Sequence, residues 1–167
     1  AMRRAEPMSG EREHGRRPLG KRLTLCVDDF GMHAGVNSSV LLLAALDRIG
    51  AVSVLVDGPA ARAGAERLLP ALRSCRIAPD IGLHLNLTEV LTPEREQAEA
   101  IAAYRCMRLP LLVSMAYARA LSRSALRKEI HRQCSAFEQL FGRAPDYVDG
   151  HQHVHTLPVV REALLQV

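Results

Sequence analysis

Leu23-Thr24-Leu25-Cys26-Val27-Asp28-Asp29-Phe30-Gly31 is the stretch on which the fold class turns. Its apolar run over 23–27 stops abruptly at two adjacent carboxylates, the pattern of a short buried parallel strand that delivers polar residues at its carboxyl end. A turn over 30–35 follows. Apolar residues at helical spacing then run from Val36 to Ile49, with Gly50 as the expected C-terminal cap. The unit is strand, loop, helix.

The same unit recurs down the chain. Residues 52–56 read as a second strand, and Pro59 opens an Ala-rich helix towards Arg73 that Pro70 is expected to kink or split. Residues 81–85 read as a third strand. The stretch 93–123 is mostly helical in pattern, with helix-forming residues over 94–104 and an apolar patch over 109–115. Leu126, Ile130, Cys134, Phe137 and Phe141 repeat every three or four residues, which predicts an amphipathic helix over 124–141 closed by Gly142 and Pro145. Residues 147–149 begin another strand, and 158–166 open another helix. Strands alternating with helices pair in parallel, so the expected class is α/β.

Composition narrows the setting. With 167 residues, 48% of them apolar, the chain can bury one sizeable core; with no Trp and 4% aromatics, that core must be aliphatic. The net charge of +4 lies wholly in residues 1–22, where seven Lys or Arg face three Glu; the remainder is neutral. That basic stretch is expected to be a disordered tail, leaving a single domain over 23–167. The neutral folded part, without a basic helix or interleaved aromatics, argues against nucleic-acid binding. Cys26, Cys75, Cys106 and Cys134 are widely spaced and form no Cys-x-x-Cys pair, which suits thiols in a reducing compartment. No apolar run is long enough for a membrane span. A cytoplasmic protein is the expectation, with a second copy of the chain as a candidate partner.

Three clusters carry chemistry: Asp28 with Asp29, His84, and the run Asp149-Gly150-His151-Gln152-His153-Val154-His155. Each ends or follows a predicted strand, and in parallel α/β folds such ends gather on one face. Singly they have ordinary explanations. A lone histidine in an apolar strand is commonly a satisfied core residue, and adjacent aspartates can cap a helix. Together, carboxylate and imidazole donors at three strand ends suit a divalent cation that keeps positions open for water and substrate. In an extended segment His151, His153 and His155 would share a side; in a helix His151 and His155 still would, so spacing does not choose between them. With one aspartate on a metal, its neighbour can serve as a base.

The motifs resemble those of YdjC-like proteins, the carbohydrate deacetylases that include chitooligosaccharide deacetylase and hopanoid-biosynthesis relatives. Val27-Asp28-Asp29-Phe30-Gly31 with Gly35-Val36-Asn37 is similar to the opening A-D-D-F-G motif. Gly82-Leu83-His84-Leu85-Asn86-Leu87-Thr88 is similar to G-x-H-x-x-L-T, and Phe141 to Pro145 followed by Asp149 to His155 resembles the F-G-x-x-P and D-x-H-x-H-V-H block. The resemblance implies a distorted, TIM-like (β/α) barrel related to polysaccharide deacetylases. It implies that Asp29, His84 and His151 hold a divalent ion, magnesium foremost with zinc the alternative. It further implies that Asp28 is the general base, that His155 or His153 is the acid, and that an N-acetylated sugar or oligosaccharide loses its acetyl group.

The chain also departs from that pattern. It stops within a predicted helix with about half the strands of a barrel, so the fold is expected to be incomplete at its C-terminal end. Asp57 stands where the family has Asn, and Leu91-Thr92-Pro93 replaces a G-x-P loop; both lie where substrate would be gripped. The competing expectations are a different metal-dependent hydrolase, acting on phosphoesters or other amides, and a truncated, non-catalytic metal-binding relative.

Overall fold

The computed structural model describes residues 23–91 and 107–167. Its elements are β1 (Cys26–Phe30), α1 (Ala34–Ala45), β2 (Ala51–Val54), α2 (Ala61–Arg73), β3 (Asp80–Leu85), α3 (Leu109–Tyr117), α4 (Arg123–Phe141), β4 (Val148–Gly150), a 3₁₀ segment (His151–Thr156) and α5 (Val160–Leu164). The four strands form one sheet in the order β1-β2-β3-β4, every pair parallel. This is the α/β class expected from the alternation of patterns. The basic tail and the helix expected over 94–104 lie outside the described residues.

The strands are apolar on the side that meets the helices. Val52, Val54, Ile81 and Leu83 pack with Phe30 against Val40 and Ala44 of α1, Leu68 and Leu72 of α2, and Phe137 and Phe141 of α4. A second cluster joins Leu85 and Leu87 to Leu112, Leu126, Ile130, Val154 and Val160, so α4 spans both cores. Burying a side chain such as Leu83 contributes roughly 1.5–3 kcal/mol.

Helix α4 follows the expected period and ends as its sequence dictates. Ser122 caps it by accepting from the Ala125 N–H, and Gly142, with φ 68°, takes the left-handed position that closes it. The other expectations need correction at their edges. α1 stops at Ala45, not near Gly50, because Asp47 adopts the left-handed turn (φ 52°) and the Gly50 N–H donates to Leu25 O, starting β2 instead. β2 ends at Val54 rather than 56, where Leu55 N already donates to Phe30 O and the chain turns. Pro70 does not split α2, which runs on to Arg73. Among the described residues no helix is long and apolar enough to cross a membrane.

Candidate metal centre

β1 carries an irregularity at its functional end. Val27 pairs with Val52 and Phe30 with Val54, so Asp28 and Asp29 together oppose Ser53, which makes a β-bulge. Asp29 is the residue that bends, with φ 63°. Gly31 (φ 100°) follows so closely on Leu55 that an added Cβ would lie 2.6 Å from its carbonyl oxygen. Asn37 fixes this turn from α1: its Oδ1 accepts from Gly31 N at 2.7 Å and its Nδ2 donates to Ala60 O at 2.9 Å.

His84 lies near the end of β3, 4% exposed, with Asp149 as its direct cross-strand partner on β4. The two side chains meet at 2.7 Å through His84 Nδ1 and Asp149 Oδ1. Burial pushes the Asp149 carboxyl up, but hydrogen bonds from His84 and from Ser53 Oγ at 2.6 Å outweigh it and hold the group below the usual carboxylate range. An ionised Asp149 only accepts, so Nδ1 of His84 carries the proton and Nε2 presents its lone pair. That Nε2 lies 3.4 Å from Asp29 Oδ1.

His151 opens the 3₁₀ segment directly after Gly150. Its Nδ1 is 2.9 Å from Asp29 Oδ1, and its buried Nε2, with no hydrogen-bond partner among the described residues, lies 3.4 Å from Glu89 Oε1. The segment matches neither geometry weighed from the sequence, because Gln152 (φ 53°) and His153 (φ 59°) are left-handed and break both the strand parity and the helical face. His151 is therefore buried, His153 exposed and His155 half-buried. Gly150 permits this fold-back; a Cβ there would meet His155 N at 2.9 Å.

One ligand atom each from Asp29, His84 and His151 thus lies within 4.8 Å of the others. One carboxylate and two buried imidazoles fit a divalent cation of borderline hardness. Asp28 sits apart from this trio. It accepts from Cys26 Sγ at 3.5 Å and shares a second potential ligand group with Cys26 and Asp149 on the polar side of the sheet.

Sequence reasoning missed Ser53, Tyr147 and the orienting part played by Asp149. Tyr147 Oη lies 2.9 Å from Ser53 Oγ and 3.2 Å from Cys26 Sγ. Burial pushes its phenol far above the ordinary tyrosine value. The signal was strand parity: Cys26, Ser53, His84 and Asp149 occupy the same side once the parallel register is drawn. Glu89 was also missed, as its loop follows no period.

A family model described as YdjC-like protein matches residues 22–167. A carbohydrate deacetylase of Mus musculus is 34% identical over 146 residues, covering 83% of this chain and 44% of that protein. A chitooligosaccharide deacetylase of Serratia marcescens is 29% identical over 155 residues, covering 85% of this chain and 53% of the relative. The chain spans about half the length of the curated relatives it matches. In fold it is similar to a crystal structure from Enterococcus faecalis described as a cellobiose-phosphate cleavage protein, with a TM-score of 0.63 at 20% identity, covering 86% of this chain and 53% of the other. With a match over all but its first 21 residues, the chain belongs to the YdjC-like family.

Proposed function

We propose that the chain carries the centre of a divalent-metal-dependent hydrolase that removes acetyl groups from N-acetylated sugars or oligosaccharides. The observation that carries this reading is the meeting of Asp29, His84 and His151 within 4.8 Å, in a family whose named relatives include carbohydrate deacetylases. Asp29, His84 and His151 would hold the ion. When bound, it supplies Lewis acidity, polarising a carbonyl oxygen and making nearby water easier to deprotonate. Two imidazoles are softer than the all-oxygen shell magnesium ordinarily takes, so zinc belongs beside magnesium in any test.

The chain's own groups divide the proton work. By its likeness to the family motif, Asp28, exposed and next to Asp29 in sequence, would accept the proton of the attacking water, although its carboxylate groups with Cys26 and Asp149 rather than with the trio. His155 is the better donor to the leaving amine. It is half-buried, with a buried Nδ1 that has no hydrogen-bond partner among the described residues, whereas His153 faces solvent. The widely spaced cysteines, with no Cys-x-x-Cys pair, suit the cytoplasm as the compartment.

The test is acetate release from N-acetylglucosamine oligomers by metal-stripped protein, with magnesium or zinc restored, beside Asp29→Asn. Asparagine tolerates the left-handed backbone at this position, so that variant keeps the fold while removing the charge. Expected is metal-dependent release that Asp29→Asn reduces by about a hundredfold or more. Release that survives both chelation and the substitution refutes the proposal.

A further inference from the structure

Each of the two histidines proposed to hold the ion has a carboxylate on either side. His84 places Nε2 towards Asp29 and Nδ1 against Asp149 at 2.7 Å. His151 is reversed: Nδ1 lies 2.9 Å from Asp29 Oδ1, and Nε2 faces Glu89 Oε1 at 3.4 Å. The two rings meet edge to face, with centroids 5.6 Å apart and planes inclined at 74°.

The chain invests a built structure in bringing Glu89 to this place. Gln133 of α4, 1% exposed, pairs with the backbone of Asn86 as a neighbouring strand would: Oε1 accepts from Asn86 N at 3.0 Å and Nε2 donates to Asn86 O at 2.7 Å. Asn86 then ties the next turn with its own side chain. Oδ1 accepts from Thr88 N and Glu89 N at 3.1 and 3.0 Å, and Nδ2 donates to Glu89 O at 2.7 Å. The carboxylate at the end of this bracket also accepts from Gln152 Nε2 at 3.0 Å, beside His151 in sequence.

We propose that Glu89 is the positioning residue for His151, as Asp149 is for His84, and that the two histidines face the ion through opposite ring nitrogens, His84 by Nε2 and His151 by Nδ1. This rests on the metal-centre reading and deepens it. The physical reason is that a carboxylate beyond the ligand fixes which nitrogen carries the proton, holds the ring plane and raises the basicity of the other nitrogen. With Nδ1 of His151 turned to the ion, the ring proton belongs on Nε2, and Glu89 Oε1, 3.4 Å away, is the carboxylate placed to take it up.

The experiment uses the full chain loaded with zinc. Long-range proton–nitrogen NMR spectra of the histidine rings report which nitrogen of each holds metal, and calorimetry gives the zinc Kd for the parent, Glu89→Ala, Glu89→Gln and His84→Ala. Expected are one Nε2-bound and one Nδ1-bound ring, and a Kd raised about 10- to 100-fold in Glu89→Ala. Glu89→Gln, which keeps an acceptor oxygen, should lose less. Two Nε2-bound rings, or a Glu89→Ala Kd within twofold of the parent while His84→Ala abolishes binding, would overturn the role of Glu89 and leave the metal centre standing. Zinc binding that is absent in the parent, or indifferent to His84→Ala, would overturn the metal centre and this proposal with it.

Discussion

Replacing Gln133 with leucine removes the bracket at its root. The glutamine makes three hydrogen bonds inside the protein: two to the backbone of Asn86 and one from Nε2 to Glu129 Oε1 at 2.8 Å. Leucine has a similar volume, so no large cavity opens and the cost is almost entirely polar. Each buried backbone group that loses its partner costs about 1–3 kcal/mol. With two such groups at Asn86, and a modest offset from leucine's extra apolar burial, Gln133→Leu should destabilise the protein by about 2–5 kcal/mol. The melting temperature should fall by roughly 5–15 °C. Gln133→Glu is the companion variant. It keeps an acceptor for Asn86 N but sets a second carboxylate against Glu129 and Asn86 O, and should be at least as harmful. Urea unfolding followed by circular dichroism measures both. A leucine variant within about 1 kcal/mol of the parent would show that Asn86 finds other partners and that Gln133 does not hold the turn.

Asp149→Asn preserves the shape beside His84 while removing the charge; calorimetry should find the affinity for zinc lowered about tenfold or more, and an unchanged value would deny Asp149 its orienting part. Gly82→Ala should cost at least about 2 kcal/mol in denaturant unfolding, since the new Cβ would lie 2.3 Å from the Tyr147 ring and expel it from its contact with Ser53. Acid stability carries the sign of Asp149: its folded-state value is held below the ordinary one, so its contribution is full above about pH 4 and is lost as the pH falls through the lower value. Asp149→Asn should therefore lose less stability than the parent as the pH falls below about 4. An identical loss in both would refute that assignment.

The parallel sheet and α4 were legible because hydrophobic period and helix caps are local signals. Leu126, Ile130, Phe137 and Phe141 announce the buried face of α4, and Ser122 and Gly142 bound it. The same face also buries Glu129 and Gln133, which the period could not reveal, because polar residues enter a core only where tertiary partners answer them. That the Asp28–Asp29 pair, His84 and the histidine run come to one end of the sheet followed from strand ends gathering in a parallel sheet, whereas the choice of Asp29 rested on the family resemblance. Choosing His151 from three histidines by spacing was not feasible, since the deciding feature is a left-handed pair at Gln152 and His153 in residues with no glycine to signal it. Asp57 likewise gave no local sign that Arg132 would pair with it, its Nη1 donating to Asp57 Oδ1 at 3.1 Å.

The adjacent aspartates show how one inserted residue creates two chemical positions. In an unbroken strand neighbours point to opposite faces, so with Asp28 on the polar side Asp29 would be driven among the helices. Parity would also send Val27 and Phe30 to opposite sides, yet both pack in the same apolar cluster, Phe30 with no exposed surface. The bulge resolves the conflict. By counting two residues against Ser53, it returns Phe30 to the helix side and keeps both carboxylates out of it. Asp28 then joins Cys26 and Asp149, while Asp29 turns to His84 and His151. The left-handed backbone at Asp29 costs about 1–2 kcal/mol, which an aspartate tolerates better than most residues. Phe30 supplies the counterweight: its burial anchors the residue after the kink, and Leu55 N locks its carbonyl at 2.8 Å. The strand is thus strained at the residue the proposed chemistry needs and held by the residue next to it.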